Sequence, residues 1–205
     1  MPLVLAPLLL LAAGKSQRTA SPKGLISVGK RFWIEQQLAS FAEAGGTWVR
    51  VVLGFHEALF RGSCPWLTDG WFEGLQVEAV SNPAPERGAF SSIKVGLAGR
   101  EEAWFILPID VPAPEREVWG MLLTALGSHW VAQPTFEGRG GHPILISKTF
   151  VESLRSSPDL SRLDHKIQAL QESKRVRVPV PSAHVLRNLN TLADWSHFIA
   201  RWPLN

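Results

Sequence analysis

The first loop of the chain combines small residues with three cations. Residues 11–14 (Leu-Ala-Ala-Gly) are followed by Lys15, Arg18 and Lys23, which lie within nine positions of one another. Small residues let backbone amides approach an anion, arginine can bind two phosphate oxygens, and lysine adds a point charge. The loop is therefore suited to a triphosphate. A solvated surface loop is the alternative, and it is the more common role of a basic loop.

The loop follows an apolar segment, residues 1–13, which predicts a buried strand. A secretory signal is the alternative, because the segment ends in small residues. A signal peptide, however, needs a cation before its apolar run, and the first cation here is Lys15. Pro2 and Pro7 also interrupt the run. A continuous apolar run that stops at glycine is typical of a strand covered on both faces in a parallel sheet, and we favour that interpretation.

Strands and helices alternate along the rest of the chain. Apolar spacing predicts helices at 34–42, 91–97, 115–126, 148–155 and 160–171, and apolar runs predict strands at 48–53, 75–80, 103–109, 130–131, 144–146 and 176–180. Thr191 and Asp194 have capping-box spacing and begin a final helix. Residues 56–72 are ambiguous, and residues 138–141 form a glycine-rich turn. The alternation predicts an α/β fold with a mostly parallel central sheet, helices on both faces, and ligands at the carboxyl ends of the strands.

Composition restricts the class of protein. With 205 residues, 45% hydrophobic and 19% charged, the chain is predicted to fold as a single domain over residues 1–205, neither disordered nor membrane-spanning. The 21 Lys and Arg residues exceed the 18 Asp and Glu residues, but they are scattered, which argues against a nucleic-acid partner. The single cysteine, Cys64, favours a reducing and therefore cytoplasmic compartment.

Five short motifs resemble those of one enzyme family and occur in its order. The first loop, Leu-Ala-Ala-Gly-x-Ser-x-Arg and then Pro-Lys-x-Leu, resembles the signature of MobA-like nucleotidyltransferases, which include enzymes of molybdenum-cofactor synthesis. The later matches are Asn82-Pro83 with residues 88–97, Pro108-Ile-Asp110-Val-Pro112, residues 137–143 (Glu-Gly-Arg-Gly-Gly-His-Pro), and Leu189-Asn190-Thr191 with Asp194. Together the motifs span residues 3–195. Five motifs in the order of the family are a specific indication of it.

The resemblance implies a three-layer α/β/α, Rossmann-like nucleotidyltransferase fold. It also implies transfer of a nucleoside monophosphate from an NTP to a phosphorylated acceptor, with release of pyrophosphate. The implied metal ligands for Mg²⁺ are Asp110 and Asn190, with orientation of a metal-bound water as the alternative role of Asn190. The implied catalytic residues are Lys23, Arg18 and Asp110. The implied nucleotide-binding residues are Leu11, Ala12, Ala13, Gly14, Lys15, Ser16, Lys23, Asn82, Ser91 and Ser92, and the implied acceptor-binding residue is His142.

Some of these residues also have structural interpretations. The Asp110 carboxylate, which stands between two prolines, could cap a turn instead of binding a metal. Ser91 or Ser92 could be the N-cap of a helix, which is a common position for serine. In the Gly-His-Pro sequence, His142 could fix a tight turn.

The resemblance favours CTP as the nucleotide and molybdopterin as the acceptor, with a molybdoenzyme or an insertion chaperone as a further partner. Ala13 and residues 137–143 resemble the cytidylyltransferase branch. Thr19-Ala20 replaces the usual Met-Gly, Asn188 stands where many relatives have Asp, and residues 192–193 replace Pro-Glu. These departures leave open a catalytically degenerate nucleotide- or cofactor-binding protein. Because one fold supports many functions, a nucleotidyltransferase that acts on a sugar phosphate is a further alternative.

Overall fold

The computed structural model describes residues 4–19, 21–158 and 160–202. The strands are β1 (Leu8–Leu11), β2 (Ser27–Val28), β3 (Arg31–Phe32), β4 (Trp48–Leu53), β5 (Trp71–Phe72), β6 (Leu75–Ser81), β7 (Trp104–Pro108), β8 (Val131–Phe136), β9 (Arg139–Gly140), β10 (Ile144–Ile146) and β11 (Arg175–Pro179). The α-helices are α1 (Trp33–Glu43), α2 (Glu57–Ser63), α3 (Trp66–Asp69), α4 (Ala89–Gly96), α5 (Arg116–Leu126), α6 (Lys148–Arg155), α7 (Leu163–Gln168) and α8 (Leu192–Ile199). Short 3₁₀ helices cover Lys23–Leu25, Pro85–Arg87, Glu172–Lys174 and Ala183–Leu186.

Nine strands in the described residues form one central sheet. Its order is β11-β8-β10-β7-β1-β4-β6-β5, with β9 paired to β8, while β2 and β3 form a separate hairpin. The central strands β7, β1, β4 and β6 are parallel, and β11 is parallel to β8. Strand β10 runs antiparallel between β7 and β8. The predicted mostly parallel sheet is confirmed.

Helices cover both faces of the sheet. Leu8 and Leu10 of β1 pack in the cluster that contains the apolar residues of α1, α5 and α8. Leu9, between them, packs in the opposite cluster, with α4, α6 and α7. Because successive side chains of a strand point to opposite faces, this alternation gives the predicted three-layer α/β/α arrangement. All three leucines are fully buried, as expected of a strand covered on both sides.

Most predicted elements are present, with some changes of bounds. The strand at 48–53 and the helix at 148–155 match β4 and α6. The predicted helix at 160–171 is shorter, because Leu160 is 82% exposed and adds nothing to the apolar face of α7. The glycine-rich turn contains the two-residue strand β9. The ambiguous segment 56–72 forms α2, α3 and β5. Residues 1–3 of the first predicted strand lie outside the described residues.

The capping box of the last helix is confirmed. The Thr191 side chain accepts a hydrogen bond from the Asp194 backbone, and the Asp194 carboxylate accepts one from the Thr191 backbone. Hydrogen bonds to the Asp194 carboxylate from the backbone and side chain of Thr191, and from the Asn190 backbone, lower the pKa of the Asp194 carboxyl. Among the described residues, no helix is long and apolar enough to cross a bilayer.

Helix α4 approaches the sheet closely at Gly96, which leads to a stability prediction. A Cβ at Gly96 would collide with the side chain of Leu9 and lie 2.9 Å from that of Val52. We therefore expect Gly96→Ala to lower the free energy of unfolding by about 1–3 kcal/mol, since overpacking a tight core outweighs the gain in helix propensity. Urea denaturation monitored by circular dichroism measures the change.

A second helical glycine provides the matched control. A Cβ at Gly62 in α2 would have no neighbouring atom within 4 Å. Gly62→Ala should therefore raise the free energy of unfolding by about 0.5–1 kcal/mol. If both substitutions raised the free energy of unfolding, or both lowered it, the close packing of α4 on β1 and β4 would not be a determinant of stability.

Candidate active site

A cavity of about 520 Å³ opens where β1 and β7 end. The predicted site residues in its wall are Leu11, Ala12, Ala13, Gly14, Lys15, Ser16, Arg18, Lys23, Ser92, Asp110 and Asn190. Strand β1 ends at Leu11 and pairs with Pro108 at the end of β7. The neighbouring strands therefore bring the first loop and the Asp110 segment, far apart in sequence, to the same edge of the sheet.

Side-chain hydrogen bonds stabilise the first loop, which forms part of the cavity wall. The Lys23 backbone donates to Ser16 Oγ at 3.1 Å, and Thr19 Oγ1 lies within 3.0 Å of the Ser16 carbonyl and 2.8 Å of the Ser21 carbonyl. Thr19 is buried, so the residue that departs from the family pattern stabilises this loop. Its neighbour Ala20 lies outside the described residues. His56 Nε2 donates to the Lys15 carbonyl at 2.8 Å.

A charged cluster lies at the base of the loop. Lys23 Nζ donates to Asp110 Oδ2 and to Asn190 Oδ1, each at 2.8 Å. Arg18 Nη2 also donates to Asn190 Oδ1, at 3.1 Å. The side chains of Lys23 and Asp110 are only 12% and 23% exposed, so the pair is shielded from much of the screening that weakens surface ion pairs.

Backbone contacts fix Asp110 and Asn190 in this cluster. The Ile109 backbone donates to the Leu11 carbonyl at 3.0 Å, which extends the pairing of β7 with β1, and the Leu189 backbone donates to the Asp110 carbonyl at 2.8 Å. The Asp194 carboxylate accepts from the Asn190 backbone at 2.9 Å. The cap of α8 therefore also holds Asn190 beside Asp110.

Asn82 and Ser91 do not reach the wall of this cavity. Asn82 is buried, and its Nδ2 donates to Ser91 Oγ and Ser92 Oγ at 2.9 Å, while its Oδ1 accepts from the Ala84 backbone. Ser91 Oγ donates to the Gly88 carbonyl at 2.8 Å. These groups support the segment before α4. Helix α4 begins at Ala89 with Gly88 as its N-cap, so the alternative that a serine caps this helix is wrong.

His142 lines a second cavity, of about 810 Å³. The two cavities share Leu11, Gly88, Ala89 and Pro108. The His142 backbone donates to the Val185 carbonyl at 2.9 Å, and the bond to Pro143 is cis. The structure therefore places His142 next to the first cavity, and not within the cluster of Lys23, Asp110 and Asn190.

A family model matches residues 8–178 of the chain, and its description is MobA-like NTP transferase domain. The chain belongs to this family. The resemblance to this family is thereby confirmed, although the fifth motif, at residues 189–194, lies outside the matched range. The family consists of nucleotidyltransferases with a nucleoside triphosphate as substrate. No curated protein matches the sequence.

Solved structures share the fold of this MobA-like domain. Rv0371c from Mycobacterium tuberculosis H37Rv is 18% identical with a TM-score of 0.77, covering 97% of this chain and 100% of that one; the same protein has been solved as a complex with manganese. The 4-diphosphocytidyl-2C-methyl-D-erythritol synthase of Anaerococcus prevotii is 15% identical with a TM-score of 0.70, covering 96% and 95%. Molybdopterin-guanine dinucleotide biosynthesis protein A of Archaeoglobus fulgidus is 15% identical with a TM-score of 0.68, covering 93% and 95%.

The side-chain oxygens of Asp110 and Asn190 are suitable ligands for a hard divalent cation, which would also bind phosphate oxygens of a substrate. Both oxygens converge on the Lys23 ammonium, so they already face one positive charge. No group of three or more His, Cys, Asp or Glu residues in the described residues could hold a metal ion. Mg²⁺ is usually held by one or two protein oxygens together with phosphates and water, and the side chains of Asp110 and Asn190 offer protein oxygens of this kind.

Phe55 and Glu86 belong to the cavity wall and were not predicted from the sequence. Phe55 lies in the wall with its ring 5.0 Å from the Lys15 ammonium, and Glu86 lies in the wall near the shared Gly88. Phe55 follows the end of β4, and Glu86 follows the end of β6. Because ligands of parallel sheets gather at the carboxyl ends of the strands, the predicted strand ends at positions 53 and 80 were the signal that could have identified them.

The partly buried His142 predicts a pH dependence of stability. Desolvation lowers the pKa of its imidazole to about 4, although the nearby Asp110 charge opposes this shift. The unfolded chain therefore binds the proton more readily, and stability that is present above the unfolded pKa of about 6.5 is lost as the pH falls toward 4. At 1.36 kcal/mol per pH unit, the loss from this group is about 3 kcal/mol.

His142→Gln should remove this part of the pH dependence. The measurement is the free energy of unfolding from urea denaturation at several pH values between 4 and 7. His197→Gln, at an exposed position of α8, is the control and should leave the dependence unchanged. An identical slope in the wild type and His142→Gln would contradict the assignment of a neutral, desolvated imidazole.

Proposed function

We propose that this MobA-like domain transfers CMP from CTP to a phosphorylated acceptor, with molybdopterin as the leading acceptor and Mg²⁺ as the cofactor. The observation that carries the proposal is the cluster in which Lys23 Nζ contacts both Asp110 and Asn190 at the edge of a cavity lined by the first loop. A cationic loop beside hard oxygen ligands is the arrangement that a nucleoside triphosphate and its cation need.

The roles of the residues follow from their places in the wall. Lys15 and Arg18 would bind the triphosphate, and Lys23 would stabilise negative charge at the reacting phosphorus. Asp110 and Asn190 would hold Mg²⁺, which neutralises phosphate charge and makes the phosphorus more electrophilic. In phosphoryl and nucleotidyl transfer the protein supplies mainly position and electrostatic stabilisation. Asp110 and Asn190 fix the Lys23 ammonium at the wall, so this stabilising charge is positioned before substrate binds.

The preference for CTP is supported by Ala13, which lies in the cavity wall. A Cβ at Gly54 would lie 2.8 Å from the Ala13 side chain, so Ala13 packs closely against the residue that follows β4. Ala13 resembles the cytidylyl branch, and one structural neighbour is named as a diphosphocytidyl synthase. The name of another neighbour supports a molybdopterin acceptor, and the manganese complex of Rv0371c supports a divalent cation.

Pyrophosphate release tests the proposal. The purified chain is incubated with Mg²⁺, each of the four NTPs in turn, and either molybdopterin or a panel of sugar phosphates. We expect the fastest release with CTP and molybdopterin, and none after chelation of the metal. Release only with a sugar phosphate would identify a transferase with another acceptor. Absence of release with every nucleotide and every acceptor would contradict the proposal.

A catalytically degenerate nucleotide-binding protein is the second candidate. It is favoured by the small number of acidic groups near Lys23 and Asn190, because few carboxylates make a weak metal site. Asp110 and Glu86 are the carboxylates among the described residues of the cavity wall. Such a protein would bind a nucleotide or cofactor and deliver it to a molybdoenzyme or insertion chaperone. Calorimetry distinguishes the two candidates, because nucleotide binding that is independent of Mg²⁺ and without turnover would support this one.

A further inference from the structure

The second cavity has an apolar wall and a basic end. It lies between the sheet and the helices α4 and α7, and its apolar wall includes Ile93, Ile106, Ile144 and Ile167. The basic end is formed by β11, the edge strand, whose Arg175 and Arg177 line the cavity. Residues two positions apart in a strand point to the same face, so both guanidinium groups are directed to this side of the sheet.

Neither arginine has a carboxylate partner within the residues that the structure describes. Arg162, which also lines the cavity, donates to both oxygens of Asp164 and is therefore neutralised. No ion pair or side-chain hydrogen bond involves Arg175 or Arg177 in that part of the chain. His142 adds no charge at neutral pH, because its pKa is about 4. Among the described residues, the basic end of the cavity therefore has two positive charges with no carboxylate in an ion pair with them.

The sheet register sets the distance between this basic end and the first cavity. Arg177 is opposite Gln133 of β8, and Ile144 of β10 is opposite Ile106 of β7. These residues form a row across β11, β8, β10 and β7, which is three interstrand spacings, or about 14 Å at about 4.8 Å each. Strand β7 leads directly to Asp110. A ligand that extends from Asp110 to the arginines must therefore be longer than a single sugar ring.

We propose that the acceptor carries a second anionic group, remote from the phosphate that receives the nucleotide, and that Arg175 and Arg177 bind this group. The inference rests on the proposed function, which places the reacting phosphate near Asp110. Arginine forms bidentate, charge-assisted hydrogen bonds with phosphate and carboxylate groups. The apolar wall between the two ends would contact the uncharged middle of the acceptor. Arg175 and Arg177 are thus determinants of acceptor specificity.

Two synthetic probes test this inference by direct binding. One is the bisphosphate of octanediol, with a phosphate at each end of an apolar chain, and the other is octyl phosphate, with one phosphate. Calorimetry on the full chain should give a dissociation constant about tenfold lower for the bisphosphate, because a charge-assisted hydrogen bond adds stabilisation of this order. The Arg175→Gln/Arg177→Gln double variant should bind the two probes equally.

The control is Arg201→Gln, which replaces an exposed arginine outside both cavities and should retain the preference. A thermal melt of the double variant checks that it folds. Equal affinity of the wild type for the two probes, no binding of either probe, or a preference retained by the double variant would overturn the inference.

The pyrophosphate assay separates this inference from the proposed function. If CTP is consumed with a monophosphate acceptor but the bisphosphate has no advantage, the inference fails and the transferase function stands. If the bisphosphate preference depends on Arg175 and Arg177 but no nucleotide is consumed with any acceptor, the transferase function fails and the dianion site stands.

Discussion

Asp110→Ala is expected to lower kcat for nucleotidyl transfer by about 10²–10³-fold, while the chain still folds. The substitution removes the carboxylate that contacts the Lys23 ammonium and, in the proposed mechanism, a ligand of Mg²⁺. The backbone contacts of this segment, from Ile109 to Leu11 and from Leu189 to the Asp110 carbonyl, do not depend on the side chain. We expect a cost of about 1–3 kcal/mol in the free energy of unfolding, from the lost charged hydrogen bond.

Steady-state kinetics with MgCTP and acceptor measures the effect of Asp110→Ala, and urea denaturation measures its stability. Asp69→Ala is the matched control, since it removes an exposed carboxylate from the end of α3, outside both cavities. Its kcat should equal that of the wild type. Full activity of Asp110→Ala would remove the assignment of a metal ligand and leave the turn-capping role of this carboxylate.

The sequence predicted those elements whose local pattern has one interpretation. Residues 48–53 are a β-branched run closed by Gly54, and the structure has β4 at those residues. Residues 56–72 were ambiguous because Gly62, Pro65 and Gly70 interrupt both the helical and the strand spacing of the apolar residues. There the structure has two short helices and a two-residue strand. Such elements are determined by packing against the rest of the chain, and local propensity carries little information about them.

The site was predicted less completely than the fold. Lys23 is 87 positions from Asp110 and 167 from Asn190, so only the order of the motifs, through their family resemblance, indicated that they meet. The role of Asn82 at the nucleotide stays a prediction; a buried asparagine needs hydrogen-bond partners, and two serine hydroxyls supply them.

Arg175 and Arg177 were not predicted as site residues, because alternating arginines in a strand are typical of a solvent-facing side. Whether such a side faces solvent or a cavity depends on the helix that lies over it. Here residues of α7, whose extent was predicted poorly, line the same cavity as the two arginines, so this face of β11 forms part of a cavity wall. The single-domain prediction for residues 1–205 stays a prediction.

Lys23→Met is expected to lower kcat by about 10²–10³-fold and, at the same time, to strengthen binding of a divalent cation in the absence of nucleotide. The ammonium of Lys23 contacts both proposed metal ligands, so it competes with a cation for the same oxygens. At a separation of a few ångströms, repulsion between two positive charges is about 1–4 kcal/mol, and its removal should raise the affinity for Mn²⁺ about tenfold.

The two opposite changes distinguish a catalytic lysine from a structural one. A lysine that only held the loop would, when lost, weaken both turnover and metal binding, because Asp110 and Asn190 would no longer be fixed. If Lys23 instead supplies charge to the reacting phosphate, its replacement leaves the oxygens of Asp110 and Asn190 in place. The backbone hydrogen bonds of Ile109, Leu189 and Asn190 hold these two residues. Lys30→Met, at an exposed position of the same segment, should change neither kcat nor the Mn²⁺ affinity measured by electron paramagnetic resonance. Unchanged turnover in Lys23→Met would contradict the catalytic role, and weaker Mn²⁺ binding would contradict the shared position of ammonium and metal.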